Sequence, residues 1–106
     1  MRSKAMRLIV FFDLPVFTTE ERKQYSRFRK FLIREGFIRM QKSVYSKIAV
    51  NASMAGRIKN DIEDHKPPKG NVQILSVSER QYQEIEIIVG ESQNETIDTL
   101  DRFVIL

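Results

Sequence analysis

The chain has 106 residues, of which 42% are apolar and 30% are charged, a balance typical of one soluble globular domain with a modest core. It contains no cysteine, which excludes disulfides and thiolate metal sites and fits a cytoplasmic location. Its net charge of +4 is uneven: positions 20–47 carry nine Lys or Arg against three Glu, and positions 79–101 carry seven acids against one Arg. The basic part is expected to face an anionic polymer, unless both parts are merely solvated surface.

The first predicted element is a strand over residues 6–12, a continuous run of mostly apolar, β-forming residues. Such a run predicts a central strand that is buried on both faces. It is too short for a signal-peptide core or a membrane span, so no membrane partner is expected. Asp13-Leu-Pro15 ends the strand because Pro15 cannot join a ladder. Residues 1–5 are interpreted as an N-terminal extension of a single domain over residues 6–106.

A helix is predicted next, capped by Thr18 or Thr19 and ended by Gly36. An apolar stripe at helical spacing predicts its buried face, formed by Tyr25, Phe28, Phe31 and Leu32. Cations spaced four, three and four apart fall on the opposite face: Lys23, Arg27, Lys30 and Arg34.

The middle of the chain predicts further strands around a second helix. Residues 37–50 are predicted to form two short strands or one bent strand, broken around residues 41–43. Ser53 is the predicted cap of the second helix, whose inner face carries Ala55, Ile58 and Ile62.

The last third predicts a strand over residues 72–77 and another over residues 82–89, joined as a hairpin by residues 78–81. The apolar tail, residues 102–106, is costly to leave in water and is expected to dock on this chain or on a partner. The hairpin strand and tail, residues 79–106, are therefore expected to serve dimer or partner contacts.

This order of elements matches a split βαβ arrangement. The predicted fold class is α+β: a ferredoxin-like split βαβ sandwich with an added C-terminal strand, whose antiparallel sheet carries two helices on one face.

Asp13 is the leading candidate for chemistry. A carboxylate at the end of a central strand is well placed to bind a hard cation such as Mg²⁺, although Asp is also a common turn cap. One carboxylate is a poor magnesium site, but a two-fold dimer would pair Asp13 with its copy.

Other polar residues suggest binding rather than catalysis. The lone histidine, His65, is expected at an exposed helix end, and Tyr45 is expected in the core unless it stacks on a base. Candidate contacts to nucleic-acid backbone, chosen by charge and position, are Arg22, Lys23, Arg27, Lys30, Arg34, Arg39 and Lys42.

Four segments resemble the second CRISPR-associated protein family, in the style of type II systems. They are Met-Arg-Leu-Ile-Val-Phe-Phe-Asp-Leu-Pro at 6–15, Tyr-Ser-Arg-Phe-Arg-Lys-Phe-Leu at 25–32, Gly-Phe at 36–37 and Met-Gln-Lys-Ser-Val-Tyr at 40–45. The resemblance extends over essentially the whole chain from Met6. Members of this family are small subunits that work beside the CRISPR integrase.

The resemblance implies a ferredoxin-like homodimer that captures duplex DNA for insertion into the CRISPR array, with the C-terminal strand commonly joining the partner's sheet. It also implies a magnesium-dependent endonuclease acting on RNA or DNA, with Asp13 as its metal ligand and catalytic residue. The acidic segment and apolar tail would then dock the integrase.

Two functions follow, and a third stays open. The chain is either a structural dimer that spans DNA while the integrase does the chemistry, or an enzyme in which paired Asp13 residues hold magnesium. A ferredoxin-like regulator of a small ligand is the remaining alternative, against which the long basic face argues.

Overall fold

The computed structural model describes residues 5–90, which form a four-stranded antiparallel sheet with two long helices on one face. In chain order the elements are β1 (Met6–Asp13), α1 (Thr19–Arg34), β2 (Ile38–Gln41), β3 (Val44–Ala49), α2 (Ala52–Asp64), β4 (Asn71–Ser78) and α3 (Glu79–Gln83). The strand order is β2-β3-β1-β4, so β1 is central. The α+β, ferredoxin-like fold and the pair of short strands are confirmed.

The core lies between the helical face of the sheet and the two long helices. Alternate residues of β1 point into it, and Leu8 and Val10 are fully buried. The helices contribute Phe28, Phe31, Leu32, Ala55, Ile58 and Ile62, all buried, as their apolar stripes predict. Tyr45 is fully buried and its ring stacks on Phe12 at 5.9 Å between centroids, which confirms core packing rather than base stacking.

Helix α1 begins with a complete capping box. Thr18 Oγ1 accepts from the Glu21 amide at 3.0 Å, and Glu21 Oε1 accepts from the Thr18 amide at 3.0 Å. That backbone hydrogen bond and Lys69 hold the pKa of Glu21 below its usual value. The helix is followed by Gly36, whose φ of 98° is strained for any other residue, as expected for a helix end.

Helix α2 begins two residues earlier than predicted. Its N-cap is Asn51, whose Oδ1 accepts from the Met54 amide at 2.8 Å, so the assignment of Ser53 as the cap is wrong. Asn and Ser are about equally good caps, and the sequence offered both within three positions. No helix in residues 5–90 is long and apolar enough to cross a membrane.

The predicted hairpin at residues 78–81 and the strand over residues 82–89 are wrong. Ser78 caps the short helix α3 through a capping box with Gln81, and residues 84–90 continue without strand pairing. A serine followed three residues later by Gln favours a helix start, which outweighs the alternating apolar pattern beyond it. The predicted apolar tail lies outside the described residues.

The face of the sheet opposite the core, called here the open face, is only partly covered. The prediction that β1 is buried on both faces is therefore wrong. It carries the β1 residues Arg7, Ile9, Phe11 and Asp13, which alternate with the core residues. Phe11 is 36% exposed, and Leu75, whose partner in β1 is Ile9, is 50% exposed. Within residues 5–90 the described protomer therefore leaves part of an apolar sheet face in solvent.

Candidate functional site

Asp13 is the last residue of β1 and lies on the open face. Asp13 pairs in register with Asn71 of β4 and is exposed to solvent. The two-residue alternation of a strand puts its side chain on the same face as Ile9 and Phe11. A carboxylate is thus presented at the end of an apolar sheet surface, where it is accessible to solvent.

The Asp13 carboxylate has no hydrogen bond or ion pair with any side chain or backbone group in residues 5–90. The cap before α1 is Thr18 instead, so the turn-cap alternative for Asp13 finds no support in the described contacts. Nor do the described residues contain a group of three or more His, Cys, Asp or Glu side chains able to hold a metal ion. Within one protomer Asp13 supplies a single carboxylate, whereas magnesium is usually held by one or two carboxylates together with waters and substrate phosphate.

The backbone around Asp13 is held by the loop between α2 and β4. A Cβ at Gly70, where φ is 98°, would lie 2.8 Å from the Asp13 carbonyl oxygen and 2.7 Å from the Leu14 side chain. Because that space is closed, position 70 requires glycine. On the other side of the loop, Lys69 Nζ pairs with Glu21 Oε2 at 3.1 Å. The loop before β4 therefore packs against the end of β1, and this ion pair ties the loop to α1.

Four predicted cations lie together on the outer face of α1. Lys23, Arg27, Lys30 and Arg34 are all exposed, as the helical spacing predicts. Since α1 packs its apolar stripe on the opposite face of the sheet from Asp13, these cations and Asp13 lie on different sides of the molecule. The structure thus separates the basic helix from the candidate metal ligand.

The other three predicted contacts lie apart from that helical face. Arg22 donates to the carbonyl oxygens of Val16 and Phe17, and therefore supports the loop before α1. Arg39 and Lys42 are exposed on β2 and the turn after it. Tyr25 Oη donates to the Lys42 carbonyl at 3.2 Å, which ties that turn to α1.

His65 is the C-cap of α2 and is exposed, as predicted for a helix end. Its ring stacks on Phe31 at 4.2 Å between centroids, and Nδ1 donates to the Asp61 carbonyl at 2.8 Å. These contacts account for the residue as part of the helix end.

A cluster around Arg7 was not identified in the sequence. Arg7 points onto the open face yet is 7% exposed, because α3 folds over it. Its guanidinium makes a bidentate pair with Glu79, at 3.0 Å and 2.7 Å, and lies 4.0 Å from the centre of the Tyr82 ring. Tyr82 in turn accepts a hydrogen bond from Ser46 at 3.4 Å. An arginine within an otherwise apolar strand was the available signal that this face needs a polar partner.

Replacing Glu79 by Ala is expected to reduce the free energy of unfolding at neutral pH by about 2 kcal/mol, because it leaves Arg7 buried without its carboxylate. The hydrogen bonds from Arg7 hold the pKa of Glu79 below its usual value. This contribution is therefore present above the unfolded pKa, about 4.3, and is lost as pH falls through the lower folded pKa. Urea unfolding at neutral and acidic pH measures both effects.

The matched control is Glu84→Ala, which removes the exposed pair between Arg80 and Glu84 at 3.8 Å. Such a pair contributes less than about 0.5 kcal/mol. An equal loss for both variants, or a Glu79→Ala loss that persists in acid, would contradict the assignment.

Comparison with known proteins gives consistent results. The family model described as CRISPR associated protein Cas2 matches residues 6–85. Several curated relatives are named CRISPR-associated endoribonuclease Cas2. The relative from Treponema denticola is 54% identical over 95% of this chain and 100% of its own, and that from Ligilactobacillus salivarius is 46% identical over the same shares. A relative from Streptococcus mutans is 42% identical over 95% of this chain and 93% of its own.

Proposed function

The chain belongs to the CRISPR associated protein Cas2 family, and from that premise we propose that it is a metal-dependent endonuclease that acts as a homodimer in CRISPR adaptation. The relatives' name, endoribonuclease, favours RNA as a substrate of the cleavage reaction. The observation that carries the proposal is the exposed Asp13 carboxylate at the end of β1, which is free of partners among residues 5–90.

Asp13 fits a hard cation such as Mg²⁺, because an accessible carboxylate oxygen is the ligand this ion prefers. When bound, the ion would lower the pKa of a water molecule and offset charge on the scissile phosphate. Asp13 binds the ion at a strand end against which the loop before β4 packs, and its copy in a second protomer supplies a second carboxylate.

The open face supports a dimer that would bring the two copies together. A two-fold interface uses the same patch on both protomers, and Ile9, Phe11 and Leu75 form an apolar patch on the face that also carries Asp13. Burying this patch removes the cost of its exposure to water. The same symmetry places both Asp13 side chains at one interface.

The variant Leu75→Glu is therefore expected to be monomeric, since it puts a charge into the interface of each protomer. Cleavage is expected to fall at least about tenfold together with dimerisation. Sedimentation velocity and a metal-dependent RNA cleavage assay, run on the same sample, give the two readouts.

The control is Ile33→Glu, which changes an apolar residue of similar exposure, 49%, on α1 and away from the open face. It is expected to remain dimeric and active. A dimeric Leu75→Glu, or a monomeric variant with full cleavage, would rule out the paired site.

A second function is favoured by a separate observation. The four exposed cations on α1 lie on the side of the molecule away from Asp13, where they can follow the phosphates of a DNA duplex. We propose that this surface holds duplex DNA while the CRISPR integrase inserts it into the array. The acidic residues after position 78 are the proposed contact with the integrase.

A further inference from the structure

The loop between β1 and α1 exposes a large aromatic side chain. Phe17 is 88% exposed, and the neighbouring Val16 is 45% exposed. Single exposed apolar residues are common on protein surfaces, so exposure alone assigns no role. Phe17 differs in how firmly its backbone is held.

The backbone of Phe17 is fixed on both sides. Its amide donates to Glu21 Oε1 at 2.9 Å, and its carbonyl accepts from Arg22 Nη1 at 2.9 Å. The same guanidinium group also donates to the carbonyl of Val16 and to Thr19 Oγ1, at 3.1 Å and 3.3 Å. A side chain presented from a fixed loop loses little conformational freedom on binding, which makes it a better contact than one on a loose loop.

The charges around Phe17 favour a polyanion over an apolar protein surface. Arg22 and Lys23 follow it, and the bonds of Arg22 go to neutral oxygens, so its positive charge is not cancelled there. Glu21 is paired with Lys69 at 3.1 Å. Among residues 5–90, Glu20 is the other acid at this end of α1, and its hydrogen bond from the neutral Gln24 amide at 2.7 Å leaves its charge in place. Three cations against two acids still leave this end of the helix net positive.

The position of the loop links the two surfaces described above. It runs from Asp13 at the edge of the open face to α1, whose outer face carries the cations. Phe17 is four residues after Asp13, so their Cα atoms are at most about 14 Å apart. This upper limit corresponds to at most about four steps of a stacked nucleic-acid strand at 3.4 Å each.

We propose that Phe17 stacks on an unpaired nucleobase of the strand whose phosphate lies at Asp13. This rests on the proposed nuclease function and adds to it a preference for substrates with an unpaired base near the cut. Aromatic stacking suits this role because every base has a flat face, so the contact discriminates unpaired from paired bases rather than one sequence from another.

The test measures binding of a single-stranded RNA carrying one 2-aminopurine, and of a blunt, fully paired duplex, with EDTA present so that no cleavage occurs. Phe17→Ala is expected to weaken single-strand binding by about 5- to 150-fold and to abolish quenching of the 2-aminopurine. Phe17→Tyr retains both, duplex binding is unchanged, and Ile33→Ala, an exposed apolar residue on α1, changes neither.

Unchanged single-strand binding by Phe17→Ala, or an equal loss on single strand and duplex, would overturn the proposal. Loss of integrase binding with all nucleic-acid binding intact would also overturn it, since it identifies a protein contact. Failure of the nuclease function is distinguishable, because a protein that quenches 2-aminopurine in EDTA yet shows no metal-dependent cleavage retains the Phe17 contact without the nuclease.

Discussion

Replacing Asp13 by Asn is expected to reduce metal-dependent cleavage at least about 100-fold, as large a loss as is seen when a residue that hydrogen-bonds to a metal ligand is changed. Asn has the same shape but lacks the charge that a hard cation requires. The side chain is exposed and has no partner in residues 5–90, so folding is expected to be unaffected. Initial cleavage rates and thermal unfolding measure the two effects.

The same variant separates the two proposed functions when it is assayed for DNA insertion with the integrase. Insertion is expected to continue, because duplex binding is assigned to the side of the molecule away from Asp13. Asp64→Asn, an exposed acid at the end of α2, is the matched control and is expected to leave both reactions unchanged. Loss of insertion together with cleavage would show that the DNA-holding role also depends on Asp13.

Changing Lys23, Arg27 and Lys30 together to Glu is expected to weaken duplex DNA binding roughly 100-fold at physiological salt and to abolish insertion. Each phosphate contact releases counterions. The slope of log affinity against log salt should therefore become less steep by about 0.9 for each lost contact, or by about three in all. Binding isotherms over a range of salt concentrations measure both quantities.

The control reverses Arg57 and Lys59, which are exposed cations on α2. This control also replaces cations by acids, but its residues lie off the proposed DNA surface. A much smaller change in the slope of log affinity against log salt is therefore expected. If the two sets of variants lose affinity equally per charge, only the overall field of the protein matters. If binding and its salt dependence survive the triple change, α1 is not the DNA surface.

The sequence predicted well those elements whose local signals agree with their packing. For helix α1 the sequence predicted a cap at Thr18 or Thr19, a helical apolar stripe and an end at Gly36. The structure has the cap at Thr18, the stripe, and Gly36 just after the helix. The central position of β1 and the break between β2 and β3 were also predicted. In each case the pattern of buried residues and the local propensity point to the same structure.

The predictions from sequence were wrong where two local signals compete, or where a segment is covered by residues that are distant in sequence. At residues 78–83 the capping signal of Ser78 outweighed the alternation that begins at Ile85. The apolar run of β1 predicted burial on two faces, but helices cover one face, and α3 covers part of the other. Hydrophobic periodicity indicates which residues are apolar along a face, but it does not indicate which element packs on that face.

For the candidate site, the sequence singled out Asp13 and the cations of α1 as candidates, but it could not place them on opposite sides of the sheet. That arrangement depends on the pairing of β1 with β3 and β4, which are distant in sequence. The fixed presentation of Phe17 also required the structure, because it depends on hydrogen bonds from Arg22 and to Glu21.

Cleavage is proposed to need Asp13 from both protomers, and a subunit-mixing experiment measures this requirement. Wild-type and Asp13→Asn chains are unfolded together, refolded at different ratios and assayed for cleavage of RNA with magnesium. If the two carboxylates act as one site, activity follows the square of the wild-type fraction, so an equal mixture retains about one quarter. Activity proportional to the wild-type fraction, about one half in an equal mixture, would show that each Asp13 acts alone and would contradict the account.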